Sequence, residues 1–97
     1  MICNFKNQAT QDIFNGKVTK RALKICPRSI WKIDSRKLDQ LDSASLLYEL
    51  RVPPGNQLEA LQRDRKGQHS IRLNEQYRIC FKWSENGPSD VEITDYH

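Results

Sequence analysis

With 97 residues the chain has room for one domain, residues 1–97, whose folding buries roughly two-thirds of its unfolded surface. No apolar run approaches the ~20 residues that cross a bilayer, and the opening MICNFKNQ lacks the basic-then-apolar plan of a secretion signal, so a soluble, cytoplasmic protein with no membrane contact is expected. The net charge is +4, and the three cysteines (Cys3, Cys26, Cys80), odd in number, far apart and without C-x-x-C spacing, argue against a disulfide framework and a structural zinc site; reduced, mostly packed thiols are expected.

Taken in chain order, Ile2 to Phe5 reads as a short strand, and Gln8 to Phe14 as a helix stopped by Asn15-Gly16. The stretch KVTKRALKICPRS is basic and names no element. Pro27 separates it from the next element, and Ser29 is placed to cap a helix. In IWKIDSRKLDQLDSASLLYEL, residues Ile30, Ile33, Leu38, Leu41 and Ala44 recur at near-helical spacing, with Lys32, Arg36, Lys37 and Asp39 pointing outward; this helix ends near Ser45. Trp31 beside the stripe reads as a core or partner-facing anchor rather than a base-stacking platform. Pro53-Pro54-Gly55-Asn56 is a break.

Beyond residue 56 the period changes to two. Ile71 and Leu73, then Tyr77, Ile79, Phe81 and Trp83, then Val91 and Ile93, alternate with polar residues and predict three strands of an antiparallel meander. Asn74 to Gln76 makes a tight connection and residues 84–88 a longer one; Gln57 to Leu61 offers a further strand. The fold class is α+β, helices first and a curved antiparallel sheet second. A hairpin across 84–88 sets Asp95 and Tyr96 opposite Tyr77 and Arg78, within a residue or two.

Charge is uneven along the chain. Residues 1–28 carry six Lys or Arg against Asp12 alone, residues 57–83 six against three acids, and residues 84–97 four acids with no Lys or Arg. Two basic segments on a small domain suit an anionic partner, most commonly nucleic acid, although a basic surface is often merely solvated. Arg63-Asp64-Arg65-Lys66-Gly67 precedes the Ile71 strand and is placed to clamp phosphates, with Arg72 extending the patch; a solvated turn is the plainer alternative.

The chain ends VEITDYH, with three proton-handling side chains where tails usually fray. Cleaving RNA without a metal needs a base for the 2′-hydroxyl, a cation for the charge growing on the phosphorane, and an acid for the departing 5′-oxygen. His97 titrates near neutrality, Arg78 offers planar, permanently charged donors, and Tyr96 is able to position the hydroxyl or donate a proton. On pattern alone the more ordinary reading is a strand end, with Arg78 pairing Asp95 across the sheet and Tyr96 covering the core. No histidine pair has metal-ligand spacing, and there is no G-x-S-x-G or phosphate-loop pattern, so no metal or cofactor is expected.

The run RVPPGNQLEALQRDRKGQHSIRLNEQYRICFKWSENGPSDVEITDYH, Arg51 to His97, resembles the C-terminal half of HigB-type toxins of bacterial toxin–antitoxin modules, in the RelE/ParE superfamily. The R-K-G loop before S-I-R, the Y-R-I-C-F strand and the terminal D-Y-H carry the resemblance. The first half matches in plan only, a short strand and two helices.

The resemblance implies a RelE-like, microbial-ribonuclease-like fold and a ribosome-dependent endoribonuclease that cuts messenger RNA at the decoding site of the small subunit, leaving a cyclic or 3′-phosphate. It implies a HigA-like helix-turn-helix antitoxin through which operator DNA is bound. It places the family's acid, tyrosine and histidine on Asp95, Tyr96 and His97 and its strand arginine on Arg78. Many members read L-H-P-L-K-G before the loop, where this chain has Leu58-Glu59-Ala60-Leu61-Gln62-Arg63. Glu59 thus stands for the histidine and Gln62 for the lysine, which predicts a working but weakened or altered nuclease. The alternatives are a ParE-like toxin that binds DNA gyrase and a non-catalytic RNA-binding domain.

Overall fold

The computed structural model describes residues 1–95. Among these residues, α1 (Gln8–Phe14), α2 (Lys20–Ile25) and α3 (Trp31–Ser43) precede a four-stranded sheet in the order β1-β2-β3-β4, made of β1 (Glu59–Ala60), β2 (His69–Arg72), β3 (Tyr77–Ser84) and β4 (Gly87–Asp95). Every pairing is antiparallel, so the expected α+β layering and meander are found. No helix among the described residues is long and apolar enough to cross a membrane.

The helices form for local reasons. Asn7 Oδ1 accepts the Thr10 amide at 2.8 Å and starts α1; Gly16, at φ +73°, ends it where the chain needs a left-handed residue. The basic stretch 17–28 holds α2, started by Thr19 Oγ1 accepting from the Ala22 amide at 3.2 Å. The Ser29 cap is not made: Ser29 lies within a 3₁₀ turn, Arg28–Ile30, that leads directly into α3 without a side-chain cap. Short 3₁₀ turns, Leu47–Arg51 and Pro54–Asn56, then carry the chain from α3 to the sheet. Buried Asn56 holds that connection by donating Nδ2 to Leu50 O at 3.1 Å and to Gln40 Oε1 of α3 at 3.0 Å.

One face of the sheet receives the helices. Ile71, Ile79 and Ile93 lie side by side across β2, β3 and β4, and pack with Phe81 and Val91 against Ile13 of α1, Ala22 of α2 and Leu38 and Leu41 of α3. Phe81 is fully buried, a contribution of about 1.5–3 kcal/mol by area removed from water. Thr10 Oγ1 accepts the Ile93 amide at 3.1 Å inside this core and locks α1 onto β4. At the outer edge of β4, Phe5 forms a single parallel bridge to Val91 where the sequence suggested a strand over residues 2–5.

Two departures from simple alternation set the register. The connection expected over 84–88 is a two-residue turn, since Ser84 pairs Gly87; Gly87 at φ +118° makes this possible, and Ser84 Oγ donates to its carbonyl at 2.7 Å. Further along, the register shifts between Cys80 and Lys82, and Asp90 and Val91 together oppose Phe81. Asp90, at φ +50°, absorbs the extra residue, steadied by Asn4 Oδ1, which accepts its amide at 3.1 Å. The bulge moves the partner of Tyr77 one residue along, to Asp95.

Candidate active site

The opposite face of the sheet carries the polar residues in rows. Glu59 pairs Ser70, Ser70 pairs Cys80 and Cys80 pairs Glu92, one residue from each strand; next to this row, Arg72 pairs Arg78 and Arg78 pairs Thr94. Paired residues point the same way, so Glu59 and Arg78 share a face. Tyr77 and Asp95, paired at the end of β3, have the parity of Ile79 and Ile93, and Tyr77 packs against the helix-covered core.

Alternation alone would send Arg78 to solvent, yet it is only 8% exposed. Its Nε donates to Ser70 Oγ at 2.7 Å, and its Nη2 donates to the carbonyl of Gln57 at 2.7 Å. Gln57 is left-handed, at φ +46°, where it closes the Pro54–Asn56 turn, and that conformation belongs to the same stretch that delivers its carbonyl. Cys80 is also buried, and desolvation pushes its thiol upward, away from the reactive thiolate.

Beside Arg78 the sheet end is cationic. Lys37 of α3, expected to point into solvent, is half-buried and donates Nζ to the Arg72 carbonyl at 2.6 Å; burial, then Arg36, Arg72 and Arg78, push its pKa down. Arg72 donates Nε to Asn74 O at 3.0 Å. Asp95 Oδ2 accepts from Gln76 Nε2 at 2.9 Å, and burial followed by the Asp95 carboxylate pushes the Tyr77 phenol up, keeping it a neutral hydroxyl.

The residues expected to clamp phosphates are held in different ways. Arg65 reaches over the sheet to Glu92, 2.7 Å from Oε1, and also donates to Gln68 Oε1 at 3.1 Å, which ties the Arg63–Arg65 turn to β4. Arg63 and Lys66 remain exposed at the ends of that turn. Glu59, exposed on β1, also lines a cleft of about 370 Å³ with Leu46, Tyr48, Arg51, Leu58 and His69. Tyr96 and His97 lie outside the described residues. Among the described residues no group of three or more His, Cys, Asp or Glu side chains is placed to hold a metal ion.

The model of the HigB-like RelE-like toxin of type II toxin–antitoxin systems matches residues 3–97. The chain belongs to this family. It is 39% identical to Toxin HigB-1 of Vibrio cholerae over 83 residues, 86% of this chain and 84% of that protein. It is 38% identical to an uncharacterized protein of Haemophilus influenzae over 67 residues, 69% of this chain and 66% of that one. A HigB-like chain is the toxin half of a two-protein module, so an antitoxin is its partner.

Sequence reasoning missed Ser70, the Gln57 carbonyl and Lys37. For Ser70 a signal existed: counting back from the tight Asn74–Gln76 connection pairs it with Cys80, one residue from Ile79 and two from Arg78. For Gln57 and Lys37 there was none, since both depend on where the 3₁₀ turns and α3 come to rest.

Proposed function

We propose that this HigB-like chain is a metal-independent endoribonuclease that cuts messenger RNA on the ribosome, in the cytoplasm, and is silenced by a helix-turn-helix antitoxin that carries it to operator DNA. The observation that carries the reading is Arg78, an arginine 8% exposed whose Nε and Nη2 donate to Ser70 Oγ and to the Gln57 carbonyl. Anchoring a charged side chain that deeply is costly for a surface that has only to be soluble. It suits a site where a fixed cation meets charge that appears only in the transition state.

The chemistry uses the residues on this face and the two beyond it in sequence. The 2′-oxygen attacks phosphorus as its proton passes to the carboxylate of Glu59, which pairs with Ser70 on the face of Arg78. Negative charge builds on the phosphorane oxygens against Arg78. The bond from phosphorus to the 5′-oxygen breaks as the imidazolium of His97 supplies that oxygen with a proton, leaving a 2′,3′-cyclic phosphate and a 5′-hydroxyl. Tyr96 positions the reacting hydroxyl. Arg63, Arg65, Lys66 and Arg72 contact backbone phosphates to either side. A gyrase-binding toxin would need none of this arrangement.

Primer extension on a reporter message after brief induction of the wild type and of His97→Ala tests the reading. Cuts with the wild type alone, during translation only, are expected, with the variant reduced at least ~100-fold. Arrested growth without cuts would replace the nuclease by a protein-directed toxin.

A further inference from the structure

We infer that Ser70 is a positioning residue for RNA cleavage: it acts through Arg78, orienting the guanidinium toward the scissile phosphate, and does not itself touch RNA. This role rests on the proposed nuclease activity.

Ser70 sits in the middle of the sheet, 0% exposed, on the face it shares with Arg78, so its hydroxyl is sealed from any bound strand. That hydroxyl is 2.7 Å from Arg78 Nε, while the Gln57 carbonyl is 2.7 Å from Nη2. Nε and Nη2 lie along one edge of the guanidinium plane. Two acceptors along one edge of a planar group fix its rotation about the long side-chain axis and its tilt together; one acceptor would leave a swivel.

The two acceptors come from different parts of the fold. Ser70 belongs to β2, with register fixed by four pairings to β3. The Gln57 carbonyl belongs to the left-handed residue behind the Pro54–Asn56 turn, which Asn56 ties to α3. The plane of Arg78 is therefore set by the sheet on one side and by the helical layer on the other. A flexible four-bond side chain becomes a rigidly held cation, and the rotamer entropy that binding would otherwise consume is lost during folding. Both of these acceptors are neutral, so neither of them offsets the positive charge.

Space and chemistry together suit serine at this position. Alanine fits but offers no acceptor, and cysteine fits with a much poorer one. Threonine keeps the hydroxyl and adds a methyl group, so it should restore part of the effect.

The test is single-turnover cleavage of message on programmed ribosomes, with Ser70→Ala, Ser70→Thr, Arg78→Lys and the double variant Ser70→Ala/Arg78→Lys, each checked for folding by thermal melting. Ser70→Ala is expected to lower the cleavage rate ~10–100-fold with little change in ribosome binding, and Ser70→Thr to recover much of it. Because lysine has no Nε–H to donate to Ser70, adding Ser70→Ala to Arg78→Lys should cost nothing further. In ¹⁵N-arginine spectra, the Arg78 Nε–H signal of the wild type should exchange slowly and that of Ser70→Ala quickly.

A Ser70→Ala rate equal to wild type, or the same fold-loss in the Arg78→Lys background as in the wild type, would overturn the positioning role while leaving the nuclease intact. An inactive wild type would overturn the nuclease reading, and this role with it.

Discussion

The Cys26 thiol donates to Asp34 Oδ2 at 2.9 Å in the interior, where α2 gives way to α3, and the other Asp34 oxygen has no hydrogen-bond partner among the described residues. Asp34 is 0% exposed, and burial pushes its carboxyl up to about 6, a shift the Cys26 hydrogen bond only partly opposes. The same burial drives the Cys26 thiol up, which keeps it a neutral donor. An acid raised on folding favours the protonated form. The folded state therefore takes up a proton as pH falls through about 6, while the unfolded chain waits until near 4. Stability should rise on acidification across that window, by on the order of 3 kcal/mol for a shift of about two units. Asp34→Asn should flatten the slope between pH 4 and 6.5 and melt at or above the wild type at pH 7.5. Below pH 4 both proteins should weaken, because Arg21, Gln8 and Thr19 hold the buried Asp12 carboxylate well below the usual range, and its contribution is lost only in strong acid. Urea midpoints across pH would show this; identical slopes for the two proteins would mean that Asp34 is charged in the fold.

Gly87 stands at two constraints at once. Its φ of +118° is one that side chains rarely adopt, and a Cβ there would run into the backbone carbonyl of Met1. The N-terminal stretch is pinned to β4 close by, through the Cys3 amide to Pro88 O at 2.8 Å, so neither strand is free to give way. Gly87→Ala should cost about 2–4 kcal/mol, against well under 1 kcal/mol for Gly55→Ala, whose Cβ meets nothing and whose φ is ordinary. Chemical denaturation of the two variants is the check; equal midpoints would mean that the turn rebuilds without strain.

The sheet was legible from residues 69 to 95 because Ile71, Ile79, Phe81 and Ile93 bury one face and alternation is a local property. Helix α1 was legible to the residue, since Asn15-Gly16 closes it with residues of plain conformational preference. Helix α2 was not: of its six residues Ala22 is the buried one, and so short a basic segment shows no stripe. The bulge at Asp90 had no local mark, because its positive φ is stabilised by Asn4 from the far end of the chain. The same reason hid the burial of Arg78. Alternation tells which face a side chain takes, but the cover over that face is Gln57 and Arg65, from turns whose paths only the packed fold decides.

Glu59 gives the sharpest test of the candidate site. It faces the same way as Arg78 through its pairing with Ser70, it is exposed, and it occupies the position where HigB-type toxins commonly carry histidine. In the proposed nuclease a carboxylate on this face takes the 2′-hydroxyl proton, yet it also sets a negative charge near the phosphate that Arg78 would attract. An imidazole removes that charge and titrates nearer to neutral pH than a carboxylate does, which is where a general base is most effective. Glu59→His should therefore cleave message on programmed ribosomes faster, by roughly 10-fold, with a rate that falls below about pH 6 as the imidazole protonates. Stability should change by less than about 0.5 kcal/mol, since the side chain is on an exposed edge strand. Glu59→Gln separates the two effects: it removes the charge without supplying a base, so it should bind message more tightly and cut more slowly. Slower cleavage by Glu59→His than by the wild type would show instead that the carboxylate has a role the imidazole cannot take over, with the cleft that it lines beside Leu58, Tyr48 and His69 the first place to look for its partner.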